Sequence, residues 1–171
     1  MRGTHPEGGF RPFARNAYAP STYRTGVRVE VTKHVRAPVD SVFAWCTDYR
    51  DDDAQLSGAR LRWRRVVRRT ATVVELEESA NLGVTYTGRV LVQLHPPDWW
   101  EADLRSSAGD AHTAYRLSPE GEGTRIHIVI DVRLPWRYRV FTPIARRIVR
   151  RRLSSEWDDY VRAMEAEVPI T

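Results

Sequence analysis

The chain has 171 residues, of which 42% are hydrophobic and 29% charged, and its formal net charge is +5 at pH 7. These values are ordinary for a soluble globular protein, and the length predicts one domain with a sizeable core. Lys33 is the only lysine among 27 basic residues, and the arginines are spread along the whole chain. This distribution favours a general arginine bias over a dedicated polyanion site.

The chain ends and the cysteine content indicate a cytoplasmic protein. Cys46 is the only cysteine, so no disulfide framework is expected within the chain. No apolar stretch at the amino terminus is typical of a secretory signal, and none elsewhere approaches the length of a membrane span. Residues 1–25 are rich in Gly, Pro and polar residues, which predicts a tail, flexible or draped over a domain at 26–168.

The first elements of the domain are a strand and a helical segment. Val27–Val35 alternates apolar and polar residues, which is typical of a half-buried strand. Pro38 suits the first turn of a short helix that runs to about Thr47. The acidic stretch after it leads into a turn or a second short helix before Ser57-Gly58.

The middle of the chain predicts six further strands joined by short turns. The alternation recurs over residues 60–69, 71–78, 84–94, 99–105, 111–117 and 124–133. In the first of these, Leu61, Trp63 and Val67 share a face. Short turns rich in Gly, Pro and Asn between consecutive strands indicate an antiparallel meander.

The last element is a long helix from about Arg139 to Glu167. Leu153, Trp157 and Met164 recur at helical spacing along its second half. The apolar residues of its first half, Ile144 and Ile148 among them, lie on a different side at 100° per residue. Two offset apolar faces indicate two different surfaces, so we expect the second half to pack on the sheet and the first half to lie over a cavity mouth.

These elements predict an α+β fold in which a strongly curved, seven-stranded antiparallel sheet wraps around the long helix, with two short helices between strands 1 and 2. One sheet face alternates apolar and needs a cover, and only the final helix is long enough to supply it. A strongly twisted sheet leaves a gap against a helix, and a ligand can lie in that gap.

Four stretches are similar to a known superfamily: VEVTKHVRAPVDSVFAWCTDY, LHPPDWWEADL, PEGEGTRIHIVIDV and WDDYVRAMEAE. Together with the element order, they resemble the helix-grip fold of the START/birch-pollen-allergen superfamily (SRPBCC), and within it the polyketide cyclase/dehydrase-like proteins. The resemblance covers residues 27–167. It implies an apolar cavity for lipids, polyketides or other hydrophobic molecules. We expect no cofactor. Its motifs are structural, so they say little about chemistry.

Aromatic residues on the inward faces predict the cavity walls. Trp63 and Trp100 share the inward phase with Tyr86 and Tyr115, which suits a flat ligand with a few polar groups, although plain core packing explains them equally well. The predicted ligand-binding residues are Trp63, Tyr86, Trp100, Leu104, Tyr115, Ile128, Phe141, Ile144 and Ile148. We name Arg146, Arg150 and His112 as polar anchors, the last only if a bulge turns it inward.

Other chemical sites find little support. No histidine has a partner at metal-ligand spacing, and no phosphate loop or nucleophile elbow occurs. Cys46 falls on the apolar stripe of the first helix, which favours packing over nucleophilic chemistry.

Three functions stay open. The first is binding or transfer of a hydrophobic small molecule, and the second is a polyketide cyclase or aromatase. The third is contact with an anionic membrane surface or nucleic acid through the arginine-rich helix. The absence of aromatics interleaved on an exposed sheet argues against nucleic acid as a partner.

Overall fold

A computed structural model describes residues 26–50, 61–81, 85–133 and 142–168. The elements in these ranges are β1 (Val27–Val35), α1 (Val39–Thr47), β2 (Leu61–Arg69), β3 (Val73–Asn81), β4 (Thr85–His95), β5 (Trp99–Ser106), β6 (Gly109–Glu120), β7 (Gly123–Arg133) and α2 (Thr142–Glu167). The tail at 1–25 and the second short helix predicted before residue 57 lie outside the described residues.

All seven strands form one antiparallel sheet in the order β1-β7-β6-β5-β4-β3-β2. From β2 to β7 each strand pairs with the next one in the chain, so the predicted meander is confirmed. β1 pairs with β7 and therefore forms the edge opposite β2. The α+β helix-grip architecture follows from this order together with α2.

The concave face of the sheet holds the main core. Ile126 and Ile128 of β7 and Val92 of β4 are fully buried there, on the faces that the alternation predicts. The second half of α2 covers them with Trp157 and Met164. The expected packing of this half of the helix on the sheet is therefore confirmed.

The first half of α2 presents a different side to the sheet. Ala145 and Val149 pack against the β1 residues Val27 and Val29. At 100° per residue, Val149 and Trp157 lie roughly 80° apart around the helix axis. The two halves of α2 thus meet two different surfaces, as their offset apolar stripes indicate.

In β2 the simple alternation is broken. Leu61 is buried, but Trp63 is 43% and Val67 50% exposed, so the prediction that the three share an inward face is wrong. The register with β3 shifts between Leu61 and Trp63 and again after Val66, and each extra residue moves the following side chains to the other face. Arg64 and Val66 therefore face inward instead.

Candidate ligand-binding cavity

A cavity of about 400 Å³ lies between the concave face of the sheet and α2. Its lining draws on three separate apolar clusters, represented by Leu76 of β3, Val132 of β7 and Leu61 of β2. Leu153 packs against both the first and the second cluster, and Leu104 packs against both the first and the third. The cavity volume falls within the range of small-molecule sites in proteins.

Stacked aromatic rings form one wall of the cavity. The rings of Trp100 and Tyr115 are parallel within 9°, with centroids 4.6 Å apart. Tyr115 then meets Trp157 of α2 at 5.6 Å, and Trp157 meets Tyr160 at 5.7 Å. These contacts link the sheet to the helix and present flat apolar faces to the cavity.

An ion pair also lines the cavity. Nη2 of Arg64 donates to Oε2 of Glu78 at 3.0 Å, and both side chains are largely buried, with 16% and 8% exposed. The guanidinium also lies 5.6 Å from the ring centre of Tyr49, within cation–π distance. The cavity therefore carries a fixed charge pair within otherwise apolar walls.

Three tyrosine hydroxyls share the lining with this pair. Burial raises the pKa of Tyr86 and of Tyr115, and the carboxylates of Glu78 and Glu156 add to the rise for Tyr86. Burial also raises the pKa of Tyr49 well above its ordinary value. All three phenols therefore stay protonated at neutral pH, and the hydroxyl of Tyr86 donates its hydrogen bond to the carboxylate of Glu78.

The helix contributes two further charged residues, Arg152 and Glu156. The hydroxyl of Tyr160 donates to Oε1 of Glu156 at a long 3.5 Å. Arg152, Glu156 and Tyr160 are spaced by four residues, so they lie on one face of α2. The sequence shows this spacing, but the predicted site residues include none of the three.

The predicted ligand-binding residues fall into three groups. Those in the lining are Tyr86, Trp100, Leu104, Tyr115 and Ile148. Ile128 is fully buried in the core instead, while Trp63 and Ile144 are exposed and do not reach the cavity. Phe141 lies outside the described residues.

The predicted polar anchors lie elsewhere. Arg146 and Arg150 are exposed, because the first half of α2 turns the side of Ala145 and Val149 toward the sheet. His112 stays on the convex face, since β6 pairs without a bulge, and its Nδ1 lies 3.0 Å from Oδ1 of Asp103. None of the three lines the cavity.

Glu78 and Arg64 are polar cavity residues that the sequence analysis does not predict. The sequence contains a signal for Glu78 but none for Arg64. Glu78 continues the alternation of Val74 and Leu76, so its inward direction was readable from the sequence. Arg64 gave no such signal, because a bulge in β2 reverses its phase. A period-two pattern cannot reveal where a strand inserts an extra residue.

The described histidines and the cysteine are poorly placed or poorly suited for catalysis in the cavity. His34, His95 and His127 do not line it. Cys46 does, but burial raises the pKa of its thiol, which disfavours the nucleophilic thiolate. Among the described residues, no group of three His, Cys, Asp or Glu side chains is placed to hold a metal ion. Neither described helix is long and apolar enough to cross a membrane.

Solved structures of low sequence identity share this fold. TTHA0849 from Thermus thermophilus is 15% identical with a TM-score of 0.71, and the match covers 81% of this chain and 97% of that one. The Zhui aromatase/cyclase from Streptomyces sp. R1128 is 15% identical with a TM-score of 0.65, over 82% and 92%. A START superfamily protein from Mycobacterium smegmatis is 15% identical with a TM-score of 0.63, over 82% and 96%.

Sequence comparison places the same region in a family. A search of curated proteins finds no significant match. The family model described as polyketide cyclase/dehydrase and lipid transport, however, matches residues 26–165, which is most of the chain. The protein with this sheet, helix and cavity therefore belongs to the polyketide cyclase/dehydrase and lipid transport family.

Proposed function

We propose that the protein binds a hydrophobic small molecule in the cavity, and that this ligand has flat rings bearing carbonyl or hydroxyl oxygens. The observation that carries the proposal is the composition of the lining. Trp100, Tyr115 and Trp157 offer aromatic faces, while Arg64 and Glu78 hold a charge pair in the same space. A saturated lipid tail would leave the charge pair desolvated without a hydrogen-bonding partner on the ligand.

The polar groups also fix how such a ligand would lie. Its rings would stack against Trp100 and Tyr115, and its oxygens would accept hydrogen bonds from Arg64 and from the protonated phenol of Tyr49. Few polar groups in an apolar site determine orientation, while the walls supply most of the contact area.

Native mass spectrometry of the freshly purified protein tests this proposal. We expect a retained small molecule, and solvent extraction should identify it as a ring-bearing, oxygenated compound. An extracted ligand that is a saturated acyl chain would contradict the assigned ligand class. A protein that retains nothing and binds no oxygenated aromatic compound would contradict ligand binding itself.

A second candidate is a cyclase or aromatase that acts on a poly-β-keto chain. The specific observation in its favour is the proximity of Arg64 to the protonated phenols of Tyr49 and Tyr86, since a cation and hydroxyl donors stabilise an enolate oxygen. A folded substrate also gains from the shape of the cavity alone. The structural neighbours described as aromatase/cyclases include the Streptomyces protein and the di-domain proteins StfQ and BexL.

Turnover separates the two candidates. An enzyme would convert a poly-β-keto substrate, and Tyr49→Phe would lower its rate while leaving binding largely intact. A carrier would bind the same compound and release it unchanged.

A further inference from the structure

One face of the first half of α2 carries two isoleucines and two arginines, which we call the Ile/Arg stripe: Ile144, Arg147, Ile148 and Arg151. The last three follow Ile144 by three, four and seven residues, so all four side chains lie on the same side of the helix. All are exposed, Ile144 by 60% and Ile148 by 48%. Large apolar side chains at this exposure mark an interaction surface when they lie together.

Among the described residues, no carboxylate compensates the positive charge of this surface. The sequence has no acidic residue from Thr142 to Ser155. Within the described part of the chain, no carboxylate contacts Arg146, Arg147, Arg150 or Arg151, whereas exposed arginines of the sheet such as Arg65 and Arg125 are paired with glutamates. The general arginine bias therefore does not account for this helix.

The stripe also borders the cavity. Ile148 is half exposed to solvent and at the same time lines the cavity, next to Val149 and Arg152. The exposed Ala108 in the turn between β5 and β6 is part of the lining as well. These two exposed lining residues mark where the cavity reaches the surface.

From these observations we infer that the Ile/Arg stripe docks on an anionic lipid surface. The isoleucines enter the boundary between headgroups and acyl chains, and the arginines contact the lipid phosphates and carboxylates. Because Ile148 belongs both to the stripe and to the cavity lining, the opening then faces the bilayer. A hydrophobic ligand can pass between membrane and cavity without crossing water. Only the passage of a ligand between membrane and cavity rests on the proposed function, since docking itself needs no ligand.

Two features favour lipid over nucleic acid. Phosphate contacts to a duplex draw on basic side chains alone, and exposed isoleucines add nothing to them. In a bilayer, the same isoleucines bury apolar surface beside the charges, which is the pattern of an interfacial helix.

Sedimentation with lipid vesicles tests the inference, using ligand-free protein. We expect the wild-type protein to bind vesicles of phosphatidylcholine mixed with phosphatidylserine, to ignore pure phosphatidylcholine, and to be released by high salt. The double variant Arg147→Gln/Arg151→Gln should lose roughly fivefold in affinity per arginine, about 25-fold in total. Ile144→Ser should weaken binding without changing the salt dependence.

The matched control is Arg146→Gln/Arg150→Gln, which removes the same charge from another side of the same helix. It should lose clearly less affinity than the stripe variant. Equal losses in the two double variants, or no binding of wild-type protein to anionic vesicles, would overturn the inference. Tighter binding to duplex DNA than to vesicles would assign the surface to nucleic acid instead. Vesicle binding is measured without ligand, so its outcome is independent of whether the cavity proposal holds.

Discussion

Arg64 of β2 and Glu78 of β3 form an ion pair inside the cavity, with Nη2 3.0 Å from Oε2. The pair exists because a bulge after Leu61 turns Arg64 inward, where it meets the inward-facing Glu78 across the two strands. Removing one member of a buried pair leaves the other charge desolvated, which costs more than the pair contributes.

We therefore predict that Arg64→Met lowers the free energy of unfolding by about 3 kcal/mol. The double variant Arg64→Met/Glu78→Leu should recover most of this loss, because it leaves no unpaired charge. Urea denaturation of the three proteins checks both statements. The neighbouring pair of Arg65 and Glu77 is the control, since Arg65 is 67% exposed and Arg65→Met should cost less than about 1 kcal/mol. Equal costs at the two positions would contradict the burial argument.

The convex face carries a pH-dependent contact between His112 and Asp103. The hydrogen bond that His112 donates to Asp103 raises the pKa of the imidazole above its ordinary 6.5, with Glu101 and Asp131 adding to the effect. A raised folded-state pKa contributes stability that is fully present below pH 6.5 and is lost as the pH rises through the folded-state value. We predict that the free energy of unfolding falls over this range, and that His112→Gln removes that component. A wild-type pH profile identical to that of His112→Gln would contradict it.

Cys46 provides a probe of the cavity from inside. Because burial raises the pKa of its thiol, little reactive thiolate forms near pH 8. We predict that iodoacetamide modifies Cys46 at least tenfold more slowly in the native protein than in guanidinium, since each unit of pKa shift changes the thiolate fraction about tenfold. Bound ligand should slow the native reaction further. Equal rates in the native and unfolded protein would show that the thiol is not buried.

The side chain of Lys33 connects the edge strand β1 to α2 through hydrogen bonds. Its Nζ donates to Oγ of Ser154 at 2.9 Å and to Oδ1 of Asp158 at 2.5 Å, and its side chain is only 14% exposed. We predict that Lys33→Met costs about 1–2 kcal/mol of stability, because hydrogen bonds to a charged group are lost while the aliphatic stem is kept. Thermal unfolding measures the loss, and Ser154→Ala should cause a smaller one. No change in Lys33→Met would mean that solvent replaces the contact without cost.

The sequence predicts the fold well because the signals for it are local and repeated. Every strand from β3 to β7 shows period-two alternation, and the stripe of Leu153, Trp157 and Met164 locates the face of α2 that covers the sheet. The apolar walls at Trp100 and Tyr115 follow from the same phases. Burial of apolar residues causes both the strand alternation and the helical stripe, so both can be recognised in a single sequence.

The polar part of the cavity was less predictable for two physical reasons. The bulges in β2 exchange the faces of Trp63 and Arg64, and no property of either residue marks the inserted position. The change of the packed face along α2 depends on where β1 lies, which is a tertiary relationship. If α2 packed through the same face along its whole length, Arg146 and Arg150 would face the sheet. Because the packed face changes, both side chains lie in solvent.

The central claim is that the cavity admits an oxygenated aromatic ligand, and two alanines of β6 allow a direct test. Ala111 lines the cavity, whereas Ala114 lies on the convex face of the same strand. Quenching of tryptophan fluorescence by dihydroxyanthraquinone should report binding near Trp100 and Trp157. We predict that Ala111→Phe fills the cavity and weakens binding at least tenfold, while Ala114→Phe binds as the wild type does. Equal binding by both variants, or none by the wild type, would contradict the account.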